Sequence, residues 1–369
     1  MIISEHTSLS NPVASAATDS PANPARRTAL KRIAATIGGA ISAPYVINAR
    51  AAEPLYVNTW GGIWEEAAAA NLFAPFTRET GIEIKTMSPV SFAKLAAQAK
   101  TGNYEFDVTT LGGGDIVRAN DAGLIEKIDD SVIDRSKMAT GQVFQNGVAS
   151  HAFSTIIAWR QDKYPNGGPQ TWADFWDLKK FPGSRCLQSY ASRVLPLALL
   201  ADGVPKDQLY PMNLDRAFAA LDRIKPNIRV WWTQGQQSQQ LLRDGEVDAI
   251  GIWHSRTIEL IQQKQKVDFT WNQGEIDRAY WVVSRGTPRA KAAWKFIQSA
   301  VAPERLAKFC VAANYGPLNP KSFEYIKDAD AKYMPTFPAN YKNQFEQDVV
   351  KAEPQLAELT KRFERWVGR

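Results

Sequence analysis

Aromatic side chains stand beside predicted turns at several points along this chain. Trp60 follows the first predicted strand, Trp232 closes a Trp pair after another strand, Trp253 lies at a strand end, and Tyr315 precedes a glycine. Aromatic rings at the carboxyl ends of strands can wall a cleft and hold the apolar body of a small ligand. A single such ring is usually part of a core, but the shared position of these four at element ends favours a ligand cleft.

A glycine-rich turn is the second candidate for ligand contact. A strand predicted over residues 106–111 runs into three consecutive glycines and Asp115, and a helix follows. In an open α/β sheet this arrangement turns backbone N–H groups and the positive end of the helix dipole toward the ligand position. Gly113, Gly114 and Asp115 are therefore candidate contacts. A tight turn with a close backbone approach explains the glycines equally well, because they lack the spacing of a dinucleotide-binding loop.

Motifs of catalysis and metal binding are absent from the sequence. There is no Gly-x-Ser-x-Gly turn, no Gly-x-x-x-x-Gly-Lys-Ser/Thr phosphate loop and no His-Glu-x-x-His. The histidines (His6, His151, His254) and cysteines (Cys186, Cys310) do not have the usual spacing of a metal site. We predict no catalytic residue, no cofactor and no metal. A disulfide stays possible in an oxidising compartment, but two reduced core thiols are favoured.

The first 52 residues indicate a targeting segment rather than a part of the fold. Arg26 and Arg27 precede an apolar run over residues 33–47, which is shorter than the roughly 20 apolar residues that span a membrane. Small residues follow, and we place signal cleavage near Ala51 or Ala52. The pattern predicts a twin-arginine signal peptide and a periplasmic protein. The alternative is a basic surface turn followed by a buried helix.

Charge and composition exclude a nucleic-acid partner. Without residues 1–52 the chain loses five basic and two acidic side chains, so its net charge falls from +6 to +3. The remaining Lys and Arg are interspersed with Asp and Glu, whereas nucleic-acid binding requires basic residues clustered on one face. With 369 residues, 44% of them hydrophobic, the chain is long enough for two domains with cores of their own. We expect a monomer.

Short apolar runs alternate with amphipathic patterns, which is typical of α/β layering. No Pro/Gly/Ser-rich linker separates two domains, so we expect the chain to cross between lobes on extended strands. The predicted strands cover residues 55–59, 82–85, 106–111, 151–160, 184–188, 228–232, 247–253 and 279–284. The predicted helices cover residues 64–79, 92–100, 194–201, 237–244, 290–300 and 303–312.

A series of short segments carries a family resemblance over nearly the whole chain after residue 52. In order they are LYVNTW (55–60), FTRETGI (76–82), YEFDV (104–108), AGLIEKID (122–129), TWADFW (171–176), GEVDAIGIW (245–253) and NYGPLN (314–319). Together they resemble type II periplasmic solute-binding proteins of ABC importers, in the spermidine/putrescine-binding branch.

The resemblance implies two α/β lobes with a solute held in the cleft between them. Closure about a hinge then presents the complex to a membrane permease. We assign residues 53–152 and 280–315 to one lobe and residues 153–279 and 316–369 to the other.

The resemblance also implies roles for particular residues. Trp60 and Trp253 fall where the polyamine binders place Trp around the methylene chain of the ligand. Those proteins supply carboxylates for the ammonium groups, but Arg193 stands at one such position here and Ala279 at another. Because a guanidinium clamps carboxylates and repels ammonium, we expect a ligand with an anionic head. The alternative for Arg193 is a surface arginine at the start of a helix.

The leading hypothesis is a receptor for a small carboxylate-bearing solute, which is zwitterionic if Asp115 or Asp277 binds an amine, as for γ-aminobutyrate. A polyamine receptor that uses those two carboxylates is the nearest alternative, and an exported enzyme is a remote one. The candidate binding residues are Trp60, Gly113, Gly114, Asp115, Tyr190, Arg193, Trp232, Gln234, Trp253, Asp277, Arg278 and Tyr315.

Overall fold

The computed structural model describes residues 53–368. The predicted signal peptide and its cleavage site lie outside these residues. None of the described helices is long and apolar enough to cross a membrane.

The strands of the described chain join into one mixed sheet. Its main path runs β2-β1-β3-β9-β5-β8-β6-β7, with β4 and β10 paired to β5 and β11 paired to β9. The strands are β1 (Leu55–Asn58), β2 (Ile84–Met87), β3 (Val108–Leu111), β4 (Val143–Phe144), β5 (Gly147–Arg160), β6 (Arg185–Gln188), β7 (Ile228–Trp232), β8 (Ala249–Trp253), β9 (Val267–Val283), β10 (Gly316–Pro317) and β11 (Phe345–Glu346).

The helices cover both ends of this sheet. They are α1 (Gly62–Ala68), α2 (Ala74–Thr80), α3 (Phe92–Thr101), α4 (Gly113–Asp121), α5 (Trp172–Trp176), α6 (Ala191–Ala201), α7 (Leu214–Ile224), α8 (Gly235–Arg243), α9 (His254–Gln262), α10 (Ala290–Ala300), α11 (Pro303–Ala313), α12 (Asp328–Ala331), α13 (Pro338–Tyr341), α14 (Val349–Ala352) and α15 (Leu356–Val367). A π-helical stretch, Ala69–Phe73, joins α1 to α2. The single helix predicted over residues 64–79 is therefore interrupted, and its second part ends at Thr80, before Gly81 in the left-handed conformation at φ 73°.

Two long strands connect the halves of the sheet. The lack of a Pro/Gly/Ser-rich linker in the sequence predicts such a connection. The C-terminal part of β9 pairs with β3, and its N-terminal part pairs with the second half of β5, which in turn pairs with β8. The prediction of a strand over residues 279–284 was too short, because β9 begins at Val267. Polar residues and a glycine between residues 268 and 277 disfavour a strand locally, and the pairing with β5 overrides that preference.

Each half of the sheet has its own buried hydrophobic side chains. Leu55, Val108 and Trp281 belong to one cluster on the first half, while Trp172 and Leu187 belong to another on the second. The two cysteines are free and buried, Cys186 in the second half and Cys310 in the first. The expectation of two reduced core thiols is confirmed.

Candidate functional site

One row of side chains crosses three adjacent strands where the halves of the sheet meet. Thr155 on β5 lies opposite Trp253 on β8 and opposite Glu275 on β9. Two residues earlier on β5, Phe153 lies opposite Asp277. Directly paired residues and residues two apart share a face of a sheet, so these five side chains lie on one face.

The start of α6 lies over this face. Tyr190, the residue before α6, stacks on Trp253 with ring centroids 6.2 Å apart and an interplanar angle of 21°. One turn later the guanidinium of Arg193 lies 4.9 Å from the centroid of the Phe153 ring, within cation–π range. Phe153 also packs edge-on against Trp253 at 6.1 Å. The aromatic rings and Arg193 therefore form one continuous surface.

Arg193 is the centre of a buried ionic cluster. Its side chain is 16% exposed, which excludes the alternative of a surface arginine. Nη2 donates a hydrogen bond to Oδ2 of Asp277, and Nη1 lies 3.6 Å from Oε2 of Glu275, which is ion-pair distance but too long for a hydrogen bond. Burial lowers the pKa of Arg193, but Asp277 and Glu275 raise it more, so the guanidinium stays charged.

Asp277 links Arg193 to the glycine-rich turn. It accepts hydrogen bonds from the backbone N–H groups of Gly113 at 3.2 Å and Arg278 at 2.9 Å. A Cβ on Gly112 would lie 2.9 Å from Oδ2 of Asp277, and one on Gly113 would lie 2.7 Å from Cγ1 of Val349. Close approach therefore requires glycine at both positions. The Gly113 N–H is already used by a carboxylate of the protein, and a Cβ on Gly114 would meet nothing within 4 Å.

Glu275 is fully buried beside this pair. Oε1 accepts a hydrogen bond from Nε2 of Gln347, which also donates to the backbone carbonyl of Ser192 at 3.1 Å. Burial raises the pKa of Glu275 to about 7, against the opposing effect of Arg193 and with a further contribution from Asp277. Near neutral pH this carboxyl group therefore exists in both protonation states.

Four polar atoms at this face are buried and have no hydrogen-bond partner among the described residues, and the Tyr210 hydroxyl near Glu275 is a fifth such atom. Of the four, two are donors, Nη1 of Arg193 and Nε1 of Trp253, and two are acceptors, Oε2 of Glu275 and Oε1 of Gln188. Gln188 belongs to the same face, since its Nε2 donates to Oγ1 of Thr155 at 3.4 Å. Buried polar groups in proteins are nearly always paired, so this cluster is suited to a bound molecule with both donors and acceptors.

The overall charge of the site refines the expectation drawn from Arg193. Asp115, at the start of α4, lies close enough for the charges of Arg193 and Asp277 to affect its pKa, and it contributes in turn to the raised pKa of Arg193. Its side chain is 46% exposed, and burial of the remainder raises its pKa, with Arg118 opposing and Asp277 adding to the rise. Three carboxyl groups thus surround one guanidinium. A single arginine does not make this site purely anion-selective, because Asp277 already pairs with it.

Other predicted site residues have different roles in the structure. Trp232 is fully buried and donates from Nε1 to the carbonyl of Gly251 at 2.8 Å, so it supports Tyr190 and Trp253 from behind instead of facing a ligand. Arg278 pairs with Glu346 at 2.6 Å. Its guanidinium is therefore engaged outside the cluster around Arg193.

Three further candidates lie at the margin of the site or away from it. Trp60 is 51% exposed and donates from Nε1 to Oγ1 of Thr110 at 2.7 Å. Gln234 is exposed at the start of α8. Tyr315 packs on His151, with ring centroids 4.7 Å apart, and stacks on Phe309. This places Tyr315 in an aromatic cluster of the first half of the sheet.

Sequence reasoning missed Phe153, Thr155, Gln188 and Glu275. The spacing of Glu275 and Asp277 was a usable signal, because residues two apart on a strand share a face. That signal was lost when the strand was predicted to begin at residue 279. Phe153 and Thr155 lie inside an almost entirely buried strand and are distinguished only by their partners across the sheet. Among residues 53–368, no group of three His, Cys, Asp or Glu side chains is arranged to hold a metal ion.

Comparison with known proteins agrees with the geometry. A family model described as bacterial extracellular solute-binding protein matches residues 71–339, which is more than two thirds of the chain. The chain belongs to this family. Its relatives are binding proteins of transport systems rather than enzymes, and the predicted two-lobed α/β fold class is confirmed.

Several members of this solute-binding family are similar over most of their length. A gamma-aminobutyric acid-binding protein of Pseudomonas aeruginosa is 32% identical over 86% of this chain and 92% of its own. A spermidine/putrescine-binding periplasmic protein of Escherichia coli is 24% identical over 61% of this chain and 66% of its own.

Solved structures of solute-binding proteins match the fold closely. An ABC transporter substrate-binding protein from Bradyrhizobium japonicum has a TM-score of 0.81 and 36% identity, covering 85% of this chain and 99% of that one. The Atu4243 GABA receptor has a TM-score of 0.79 and 34% identity, covering 85% and 97%.

Proposed function

We propose that this chain is the periplasmic receptor of an ABC importer and binds a small zwitterionic solute of the γ-aminobutyrate type. The donors without hydrogen-bond partners in the described part of the chain, Arg193 Nη1 and Trp253 Nε1, together with the carboxyl groups of Glu275 and Asp115 near Arg193, carry this proposal. A purely anionic solute would leave the excess of acid uncompensated, and a purely cationic one would leave both donors unused. The similarity to proteins named for γ-aminobutyrate supports the same class.

The solute's two ends have distinct partners in this proposal. Its carboxylate accepts hydrogen bonds from Arg193 Nη1 and Trp253 Nε1, because buried donors without an acceptor are costly. Its methylene chain lies against the rings of Phe153, Tyr190 and Trp253. Its ammonium group binds Asp115, whose side chain is 46% exposed and whose ion-pair partner within residues 53–368, Arg118, is 3.7 Å away.

The transport cycle follows from the arrangement of the two lobes. We propose that residues 53–152 with 280–315, and 153–279 with 316–369, close on the solute by bending β5 and β9, which continue from one half of the sheet to the other. The closed monomer then docks on a membrane permease. The twin-arginine motif at Arg26 and Arg27 is the proposed export signal.

Polyamine binding is the second candidate function. The observation in its favour is the set of three carboxyl groups, Asp115, Glu275 and Asp277, around one arginine. In that case the ammonium groups would bind Glu275 and Asp115, and the guanidinium of Arg193 would only hold Asp277.

Calorimetric titration with γ-aminobutyrate, putrescine and butyrate separates these possibilities, because the three molecules have four-carbon chains and differ in their charged ends. We expect saturable binding of γ-aminobutyrate and at least about 100-fold weaker binding of the other two. Asp115→Asn should weaken γ-aminobutyrate about tenfold, whereas Glu304→Gln, an exposed carboxylate paired with Lys308, should change nothing. Tighter binding of putrescine would overturn the assignment in favour of a polyamine receptor.

A further inference from the structure

Within residues 53–368, Glu275 and Arg193 each have one terminal atom without a hydrogen-bond partner, and these two atoms are neighbours. Oε2 of Glu275 and Nη1 of Arg193 lie 3.6 Å apart, both are buried, and neither has a hydrogen-bond partner among the described residues. The opposite atoms of the same side chains are occupied, since Gln347 donates to Oε1 of Glu275 and Asp277 accepts from Nη2 of Arg193. Both side chains are therefore held through one terminal atom, and the remaining two atoms lie side by side, so that one solute oxygen beside the pair can contact both.

A carboxylate bound at Nη1 of Arg193 must come close to Glu275. If Glu275 is ionised, two carboxylates meet in a buried environment and repel each other. If Glu275 is protonated, its O–H donates to the solute's oxygen and forms a charge-assisted hydrogen bond. The contact between Glu275 and the solute's carboxylate is therefore repulsive when Glu275 is ionised and attractive when it is protonated.

The groups that face Glu275 allow it to hold that proton near neutral pH. Arg193 faces it from α6 and Asp277 from its own strand β9, and their charges act in opposite directions on its pKa. Burial is the largest effect and raises the pKa to about 7. Thr155 lies opposite on β5 and Gln347 after β11 donates to Oε1; both groups are neutral and oppose the rise of the pKa.

Other buried titratable groups do not change their protonation state near neutral pH. The hydroxyl of Tyr210, before α7, is buried near Glu275, and burial raises its pKa well above the usual value, so it stays protonated. Asp348 raises the pKa of Tyr210 further, and Asp115 contributes to the raised pKa of Arg193. Burial lowers the pKa of His151 to about 3 and that of His254 to about 4, so both remain neutral above pH 5.

We propose that Glu275 binds the solute's carboxylate in its protonated form, so that capture of the solute is coupled to the uptake of one proton by the receptor. This inference rests on the proposed binding of a carboxylate-bearing solute. It makes the receptor load more tightly in a mildly acidic medium than in an alkaline one, and it assigns discrimination against cationic solutes to Glu275 as well as to Arg193.

The proton count is measured on the unmodified protein. Calorimetric titration with γ-aminobutyrate at pH 7.5, in buffers of different ionisation enthalpy, gives the number of protons exchanged with the buffer. The solute itself does not titrate there, since its carboxyl and amino groups have pKa values near about 4 and 10. We expect uptake of roughly 0.5–0.8 proton per solute. No exchange, or release of a proton, would overturn the proposal, and release would indicate that Glu275 binds the ammonium group.

The pH profile of affinity tests the assignment to Glu275. For the unmodified protein we expect a nearly constant dissociation constant between pH 5.5 and 6.5 and a rise of up to about tenfold from pH 7 to pH 8. Glu275→Gln, which retains the shape and places an amide donor at the site, should bind with a dissociation constant independent of pH and tighter than the unmodified protein at pH 8. Glu259→Gln, a partly buried carboxylate paired with Arg256, should keep the unmodified profile.

The outcomes separate this inference from the proposed function. If γ-aminobutyrate gives no binding heat at any pH, the proposed solute class fails, and this inference fails with it. If γ-aminobutyrate binds without proton uptake, the receptor assignment stands and the role of Glu275 is wrong. If Glu275→Gln does not fold, the proton count on the unmodified protein still decides.

Discussion

Two arginines eight positions apart, Arg185 and Arg193, differ in whether the fold uses all of their hydrogen-bond donors. Arg185 is fully buried and all three of its nitrogens are used: Nε by the carbonyl of Phe175, Nη1 by the hydroxyl of Tyr164 and Nη2 by the carbonyl of Phe181. Arg193 is 16% exposed, its ionic partners are acids, and its Nη1 has no hydrogen-bond partner among the described residues.

The difference lies in the acceptors around each arginine. Dipolar groups around Arg185 do not offset the loss of water, so burial lowers its pKa. The carboxyl groups around Arg193 more than offset burial and raise its pKa. A buried arginine whose donors are all satisfied by the fold has no capacity left for a ligand, whereas one with a free donor beside a carboxyl of shifted pKa is a candidate binding residue.

The largest effect is expected at Arg185. Arg185→Gln leaves several backbone carbonyls without donors, and we expect the free energy of unfolding to fall by about 3–5 kcal/mol. The fraction that stays folded should bind solute with unchanged affinity. Denaturant titration followed by calorimetry measures both quantities, and a variant of normal stability would show that Arg185 is not the structural member of the pair.

The matched change at the site is Arg193→Gln. It removes the free donor and leaves Asp277 with its two backbone N–H partners, so binding should suffer more than folding. We expect the dissociation constant for γ-aminobutyrate to rise about 100-fold, which corresponds to about 2.7 kcal/mol. Unchanged affinity in this variant would show that the carboxylate does not bind Arg193.

Stability also depends on pH through the carboxyl group beside Arg193. Since the pKa of Glu275 rises from its ordinary value of 4.5 to about 7 in the folded state, the folded chain holds a proton that the unfolded chain releases between those values. Its contribution to the free energy of unfolding therefore falls as pH rises through this window, by up to about 1.4 kcal/mol per pH unit. Glu275→Gln should remove this fall, and parallel stability profiles would refute it.

Smaller effects are expected at Trp253 and Trp232, whose rings pack against each other. Trp253→Phe retains a ring against Tyr190 but removes the unpaired N–H, and we expect affinity to weaken roughly fivefold. Trp232→Phe removes a donor that the carbonyl of Gly251 uses, so stability should fall by about 1–2 kcal/mol with little change in affinity. Calorimetry and thermal unfolding of both variants measure the contrast, and equal effects on affinity would remove the distinction.

The fold class could be predicted from the alternation of apolar runs and amphipathic helices. The sequence also indicates four residues of the candidate site, namely Trp253, Tyr190, Arg193 and Asp277. The partners of Arg193 could not be found in this way. Glu275 and Phe153 meet Arg193 through strand pairings that join residues more than 100 positions apart, and neither periodicity nor composition encodes such a register. The proposed binding role of Arg193 depends on those partners.

The central claim is tested most directly by a crystal structure of the complex with γ-aminobutyrate at pH 6. We predict a carboxylate oxygen of the solute within about 3 Å of Nη1 of Arg193 and of Oε2 of Glu275, with the other oxygen near Nε1 of Trp253 and the ammonium group near Asp115. A solute bound in the reverse direction, with its ammonium group against Glu275, would contradict the account.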